Sequence, residues 1–310
     1  MKIVFFGSPR SALPALERLI ECGHEVVLVI TQPDRPSGRG KDPTPPPVKK
    51  VAVERGIPVL QPEKIRTDPR ILDALKASAP DINVVVAYGQ MIPSEIIDLP
   101  RFKSVNVHFS LLPKYRGAAP VQRAILNGEE KTGVTVFELN ERMDEGDILS
   151  RTEVAIQPRD KAQELEARLS SLGADLLVKT LDGIERLPRI PQDHTRATAA
   201  PRLHKDQGRI DWTRDSISID RMVRAFSPWP GAYAFFRGRR LIVHEGIPLP
   251  AQNPSRQPGR ILAIRKEGPM VGCGGKSAYL IVRLQRENRK AMTAANFLLG
   301  TRMEVGEALD

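Results

Sequence analysis

"SVNVHFSLLPKYRGAAP", residues 104–120, opens as an apolar, β-branched strand and closes in a loop punctuated by proline and glycine. In a strand, residues two apart share a face at about 6.5–7 Å. Val105 and Val107 therefore lie on one side, Asn106 and His108 on the other. Polar side chains are kept on a buried strand where they have partners or a task. The strand ends just beyond them, and in an open parallel sheet ligands bind at the carboxyl ends of the strands.

Similar runs recur on either side: "KIVFFG" (2–7), "EVVLVITQ" (25–32), "DINVVVAYG" (81–89) and "GVTVFEL" (133–139), with helical segments between them. Strands apolar on both faces and separated by helices predict a parallel sheet covered on both sides. The spacing of Leu13, Leu16, Leu19 and Ile20 predicts a helix from Ser11 to Cys22 with Ser11 as its cap, and a longer helix is expected over Lys161–Leu187. Residues 187–204 lose all periodicity, carry three prolines and read as a linker. Beyond them come a short helix around Ser216–Phe226 and the runs "AYAFFRGRRLIVHEG", "GRILAI" and "SAYLIVRLQ", set off by glycine and proline turns. The expected fold class is α/β: a Rossmann-like parallel-sheet domain over 1–186, a linker over 187–204, and a small OB-like β-barrel domain over 205–310.

The 310 residues, 41% hydrophobic and 27% charged, are enough for two globular domains. No apolar run approaches the ~20 residues needed to span a bilayer. The amino terminus reads as a first strand rather than a signal peptide, so no membrane association and a cytoplasmic location are expected. Cys22 and Cys273 lie far apart with no Cys or His at ligand spacing, which predicts neither a metal site nor a disulfide and makes both small buried residues. Charge is uneven: residues 1–200 hold 28 Lys and Arg against 27 Asp and Glu, whereas residues 201–310 hold 19 against 10. That excess of nine positive charges points to a polyanionic partner for the C-terminal part.

A histidine exchanges protons near neutral pH, and an asparagine amide can donate to a developing oxyanion. "MDEGDIL" (143–149) follows the run 133–139 and puts either Asp144 or Asp147 within reach of a neighbouring strand end, where a carboxylate would orient the imidazole. No nucleophilic Ser or Cys completes this set. It suits direct attack of a substrate amine on a carbonyl.

"NVHFSLLPKYRGAAP" closely matches the N-x-H-x-S-L-L-P-x-x-R-G-x-x-P signature of the folate-dependent formyltransferases, and "MDEGDIL" their acidic loop. With "TQPDRPSGRGK" (31–41), "VVAYGQMIP" (85–93), "GRIDW" (208–212), "RAFSPWPGAY" (224–233) and "RKAMTAANFLLG" (289–300), the sequence resembles the methionyl-tRNA formyltransferases over nearly its full length. The resemblance implies 10-formyltetrahydrofolate as formyl donor and initiator methionyl-tRNA as acceptor and partner, with no metal. It implies a catalytic trio of Asn106, His108 and Asp144, with Asn106 at the oxyanion and Asp144 orienting His108. For His108 it leaves open a proton shuttle or an oxyanion stabiliser. It implies folate contacts from Tyr88, Gly89, Gln90, Met91 and Ile92 and from Ser110, Leu111, Leu112 and Pro113. It implies tRNA contacts from Arg35, Arg39 and Lys41 and from Arg237, Arg239 and Arg240. Nothing suggests more than a monomer.

The sequence departs from the family in two places. Ser8 and Arg10 stand where many relatives have a Thr and an acidic residue, and "VGCGGKSAYL" (271–280) lacks the usual A-x-G-D-G turn. A sugar-nucleotide N-formyltransferase or the hydrolase part of a formyltetrahydrofolate dehydrogenase would share the catalytic segment, but the basic C-terminal part and "GRIDW" favour a tRNA acceptor. A Rossmann dinucleotide enzyme would need G-x-G-x-x-G after the first strand, and "GSPRSA" is not one. A tRNA-binding module without catalysis would have no use for the trio.

Overall fold

β-Branched and aromatic side chains suit a pleated, covered surface, and the apolar runs become strands. The computed structural model describes residues 1–36, 42–249 and 257–310. In chain order it forms β1 (Lys2–Gly7), α1 (Leu13–Glu21), β2 (Glu25–Ile30), β3 (Arg35–Pro36), β4 (Pro43–Thr44), α2 (Pro47–Glu54), β5 (Val59–Leu60), α3 (Pro69–Ser78), β6 (Ile82–Val86), α4 (Ser94–Ile97), β7 (Ser104–His108), α5 (Pro120–Leu126), β8 (Lys131–Glu138), β9 (Ile148–Ala155) and α6 (Ala162–Asp182). The chain divides into two units. The first takes Met1–Pro120, Lys131–Ala155 and Glu166–Pro201; the second takes Val121–Glu130, Ile156–Leu165 and Arg202–Asp310.

The first unit is built on a seven-stranded sheet in the order β5-β2-β1-β6-β7-β8-β9. Its first five strands are parallel, but β7 pairs with β8, and β8 with β9, antiparallel. The sheet is therefore mixed, which corrects the all-parallel expectation. A continuous apolar run reports burial on both faces without reporting strand direction. β9 escaped the sequence reading because only one of its faces is buried along most of its length, so it has no continuous apolar run.

Val107 faces α6, where the buried Gly173 lets the helix approach closely: a Cβ there would lie 3.0 Å from Val107 and 3.2 Å from Val134. A second apolar cluster joins Val4, Phe6 and Ile30 of the sheet to Ile71, Leu75 and Ile96. The loops leaving β1, β2 and β6 are tied together at the carboxyl edge. Gln32 N donates to Ser8 Oγ at 2.9 Å, and Gln32 Nε2 donates to Tyr88 O at 3.0 Å. Ser8, one of the two departures at the first turn, is thus a fastener between β1 and β2.

Other local expectations change. A 3-10 turn at Arg10–Ala12 precedes α1; among the described residues the first turn of α1 has no side-chain cap, and the buried Ser11 hydroxyl has no partner. Cys273 is buried, and desolvation pushes its thiol up to about 12. Cys22 is exposed, because it lies just past the end of α1 and off its apolar face. The segment expected as a linker is built into the first unit as far as Pro201. Ile148 and Ile190 exchange N–H···O bonds of 2.8 and 3.0 Å, and Arg116 bridges to Ala199. Irregular backbone still needs hydrogen-bond partners, and these supply them.

The second unit contains α7 (Ser216–Ala225), β10 (Ala232–Phe236), β11 (Arg239–Leu249), β12 (Ile261–Ile264), β13 (Pro269–Gly272), β14 (Ala278–Arg286), β15 (Met292–Thr293) and α8 (Ala294–Gly300). Its strands form a separate antiparallel sheet in the order β10-β11-β14-β13-β12, with β15 beside β14. Among the described residues β10 and β12 do not pair with each other, so the sheet is open. The C-terminal residues bridge to both margins, Leu309 to Phe236 and Ala308 to Arg260. Asp215 caps α7 by accepting from Ile217 N and Ser218 N, both at 3.0 Å. No helix among the described residues is long and apolar enough to cross a membrane.

The close approach at Gly173 is testable. Gly173→Leu should destabilise the protein by about 1–3 kcal/mol through overpacking between α6 and the sheet, read as a lower urea midpoint. An unchanged midpoint would mean that the helix does not sit this close.

Candidate active site

β7 lies between a parallel and an antiparallel neighbour, with Asn106 opposite Val85 of β6 and Phe137 of β8. Thr135 of β8 faces His108 and fastens the chain as it leaves β7: its hydroxyl donates to Ser110 O at 2.7 Å and accepts from Leu112 N at 3.1 Å. Ser110 closes the turn by donating to Lys114 O at 2.6 Å. This short, sewn loop returns residues 115–117 to the imidazole.

His108 is 6% exposed, and its Nε2 lies 2.9 Å from Tyr115 O. A carbonyl oxygen only accepts, so Nε2 carries the hydrogen. The other ring nitrogen, Nδ1, faces Asp144 Oδ2 at 3.7 Å. With Nδ1 unprotonated two acceptors confront each other, and 3.7 Å is too long for a direct hydrogen bond. A proton placed on Nδ1 would sit beside a carboxylate already in position. Asn106 projects from the same face, half-buried, and its carboxamide has no hydrogen-bond partner among the described residues.

Asp144 reaches this place by an indirect route. β8 runs antiparallel to β7, so the loop 139–147 begins near the start of β7, with Leu139 N donating to Ser104 O at 2.8 Å. Residue 108 lies four positions further along, on the order of 13 Å. The loop leans back over the face carrying Asn106 and His108, with Asp144 in a left-handed conformation at φ 53°. Gly117 N donates to Asp144 Oδ2 at 2.8 Å. Asp147 instead continues the ladder, its carbonyl accepting from Glu138 N at 2.9 Å. Of the two carboxylates left open by the sequence, Asp144 is the one beside His108.

The residues expected at the folate divide by burial. Tyr88 is 2% exposed, packs edge-on against Phe6 at 5.6 Å, and has its phenol pushed up by desolvation. Ser110 and Leu112 are buried, while Leu111 and Pro113 are half-buried. Gly89 and Met91 are exposed, and Ile92 is buried. Gln90 accepts from Ile65 N at 2.9 Å and donates to Pro62 O at 3.2 Å, which fixes the loop above. That loop and α4 border a cavity of ≈ 780 Å³ lined by Ile65, Leu72, Ile92 and Ile96 and also by Arg66, Asp68, Glu95 and Glu141.

Of the basic residues, Arg35 is exposed and pairs with Glu63 at 2.8 Å. Arg39 and Lys41 lie outside the described residues. Arg237 pairs with Glu307 at 2.7 Å, Arg240 stacks 3.8 Å from the centre of the Tyr233 ring, and Arg239 is exposed. Sequence reasoning missed Thr135, Arg116 and Gln192. Arg116 was visible as the arginine of the R-G pair in the motif but had no assigned role. Gln192 stood in a stretch with no pattern to single it out.

Residues 1–181 match the family model described as formyl transferase, and residues 202–302 match that of the formyl transferase C-terminal domain. The methionyl-tRNA formyltransferase of Geobacter sulfurreducens is 45% identical over 311 residues, covering 100% of this chain and 96% of the relative. That of Bacillus pumilus is 43% identical over 312 residues, covering 99% and 97%. Among solved structures, the sugar 3N-formyl transferase WlaRD aligns with a TM-score of 0.65 at 19% identity, covering 94% of this chain and 99% of that one. The methionyl-tRNA formyltransferase from Clostridium thermocellum aligns at 0.57 and 18%, covering 80% and 93%. At such identities the structures share the fold. The full-length relatives and both matches in chain order carry the conclusion further: the chain belongs to the formyl transferase family, and to its methionyl-tRNA formyltransferases it is similar from end to end.

Proposed function

We infer that the protein transfers a formyl group from 10-formyltetrahydrofolate to the α-amino group of methionyl initiator tRNA. The observation that carries this reading is the arrangement around His108: Nε2 committed to Tyr115 O, Nδ1 turned to Asp144, and the unpartnered Asn106 amide on the same face. The relatives named for the activity span the whole chain, its basic C-terminal part included.

The folate supplies the formyl carbon, bonded to its N10. The cavity bordered by Ile92 and Ile96 offers a flat pterin apolar walls together with the polar groups of Arg66, Asp68 and Glu95, and Gly89, Met91, Leu111 and Pro113 stand at exposed or half-buried positions outside that lining. Tyr88, Gln90, Ser110 and Leu112 then shape that surface from behind. In transfer, a bond forms from the α-amino nitrogen to the formyl carbon, the bond to N10 breaks, and the proton lost by the amine ends on N10. Asn106 donates to the formyl oxygen as it becomes anionic. His108 carries the proton on Nδ1, where Asp144 offsets the positive charge. This choice makes His108 the proton shuttle.

The chemistry assigned to the first 186 residues makes them the catalytic domain, and residues 205–310 supply phosphate contacts through an OB-like domain after the segment 187–204. The bridges of Leu309 and Ala308 to both margins of the sheet support the OB-like reading. Arg239 and the ring-stacked Arg240 suit contacts that hold a polyanion without reading its sequence, as do Arg237, Arg35, Arg39 and Lys41. The protein would act as a monomer in the cytoplasm, where translation begins.

Purified protein should formylate methionyl initiator tRNA with 10-formyltetrahydrofolate and leave free methionine and an amino-sugar nucleotide untouched, read by product mass. Formylation of the sugar nucleotide alone would move the reaction to that acceptor. His108→Ala should lower kcat about 100- to 10,000-fold, and Asn106→Ala about 100- to 1,000-fold, with melting temperatures preserved. A folded His108→Ala enzyme turning over at the wild-type rate would refute the assignment.

A further inference from the structure

Asp144 holds an unfavourable left-handed backbone, at φ 53° without being glycine. Such conformations cost about 1–3 kcal/mol and persist where the surroundings over-determine them. The surroundings here converge on one side chain, Gln192, from the segment after α6. It is 5% exposed. Its Nε2 donates to Asp144 O at 3.0 Å and to Gly146 O at 2.7 Å. Its Oε1 accepts from Arg116 Nε at 3.1 Å and Arg116 Nη2 at 2.8 Å. All four hydrogen-bonding positions of the carboxamide are filled, and the partners fix which end is which: a guanidinium only donates, and two carbonyls only accept.

The residue between the two clamped carbonyls is held as well, because Glu145 Oε1 lies 3.2 Å from Arg116 Nη1. The same segment supports the histidine side. Thr198 Oγ1 accepts from Tyr115 N at 2.9 Å, and Tyr115 O in turn receives His108 Nε2. Arg116 N donates to Thr198 O at 2.8 Å, and Ala200 N donates to Arg116 O at 2.6 Å. Residues 190–200 thus act as a strap across both supports of the His108–Asp144 pair.

We propose that Gln192 is a positioning residue for formyl transfer: by clamping the carbonyls of Asp144 and Gly146 it sets the Asp144 carboxylate against His108. The role rests on the reading of the trio given above. Gln192 touches no substrate and acts through Asp144. Displacements of about 1 Å at a reacting centre can cost on the order of 100-fold in rate, so the clamp should appear in kcat.

Gln192→Glu tests this role. It preserves side-chain volume and the acceptor facing Arg116, replaces the two donors that face the loop with an acceptor, and adds a negative charge beside Arg116. Gln192→Met, which removes the donors without adding charge, is therefore measured alongside it. With 10-formyltetrahydrofolate and methionyl initiator tRNA, each variant should lose about 10- to 100-fold in kcat while both KM values stay near wild type. A variant needed only for packing would not produce that split. If Q192E does not fold, Gln192→Met, similar in size and without donors, carries the test with the same expectation. Retention of at least about half the wild-type kcat by the folded variant, or a loss confined to KM, overturns the proposal. Failure of both variants to fold also overturns it, by making Gln192 structural. An inactive wild-type enzyme would instead remove the reading of the trio on which the proposal stands.

Discussion

The turn at residues 115–117 is the constraint on which the site depends. Within three residues its main chain offers a carbonyl to His108 at Tyr115 and an N–H to the Asp144 carboxylate at Gly117. Two side chains far apart in sequence are thereby referred to one short piece of backbone. The turn needs positive φ twice: Tyr115 takes it up at φ 63° at a cost in energy, and Gly117 at φ 120° without one, because it has no Cβ. A Cβ on Gly117 would also lie 2.7 Å from Ala200 O, so a side chain there would displace the strand-like segment that supports the turn.

The change of strand direction after β7 explains why the two partners meet. A wholly parallel sheet would place the loop after β8 at the carboxyl edge with the others. Because β8 returns antiparallel, its loop starts at the opposite end of β7 and crosses the face carrying Asn106 and His108. The face is thereby partly covered, with His108 and Asp144 shielded and Asn106 left half-buried and unpartnered. Hydrogen bonds from preorganised donors count for more in such a place than in water.

The second unit follows a different logic. Its core joins Trp212, Val223, Phe236 and Val271, and its basic residues are spread over α7, β11, β14 and the turns between elements. Several are already engaged, Arg237 with Glu307 and the Phe236 ring, and Arg240 with the Tyr233 ring. Stacking leaves the positive charge in place while restricting the side chain, which lowers the entropy lost when a phosphate is met. The net charge of this part therefore overstates the number of mobile cations it offers.

The sequence by itself determined the strands β1, β2, β6 and β7, because uninterrupted β-branched runs permit little else in a covered sheet. It also singled out Asn106 and His108, since a spacing of two residues is enough to put them on one face. Pro113 marked the end of that strand run. Strand direction and the incorporation of residues 187–201 into the first unit were decided only by tertiary structure. Residue spacing left Asp144 and Asp147 open, the family resemblance named Asp144, and the fold puts its carboxylate beside His108. Hydrophobic pattern reports which side chains leave water, and it carries no sign for the direction of a strand. A backbone conformation such as that of Asp144, or a carboxamide such as Gln192 clamping two carbonyls forty-six and forty-eight residues away, is set by partners that only the folded chain brings together.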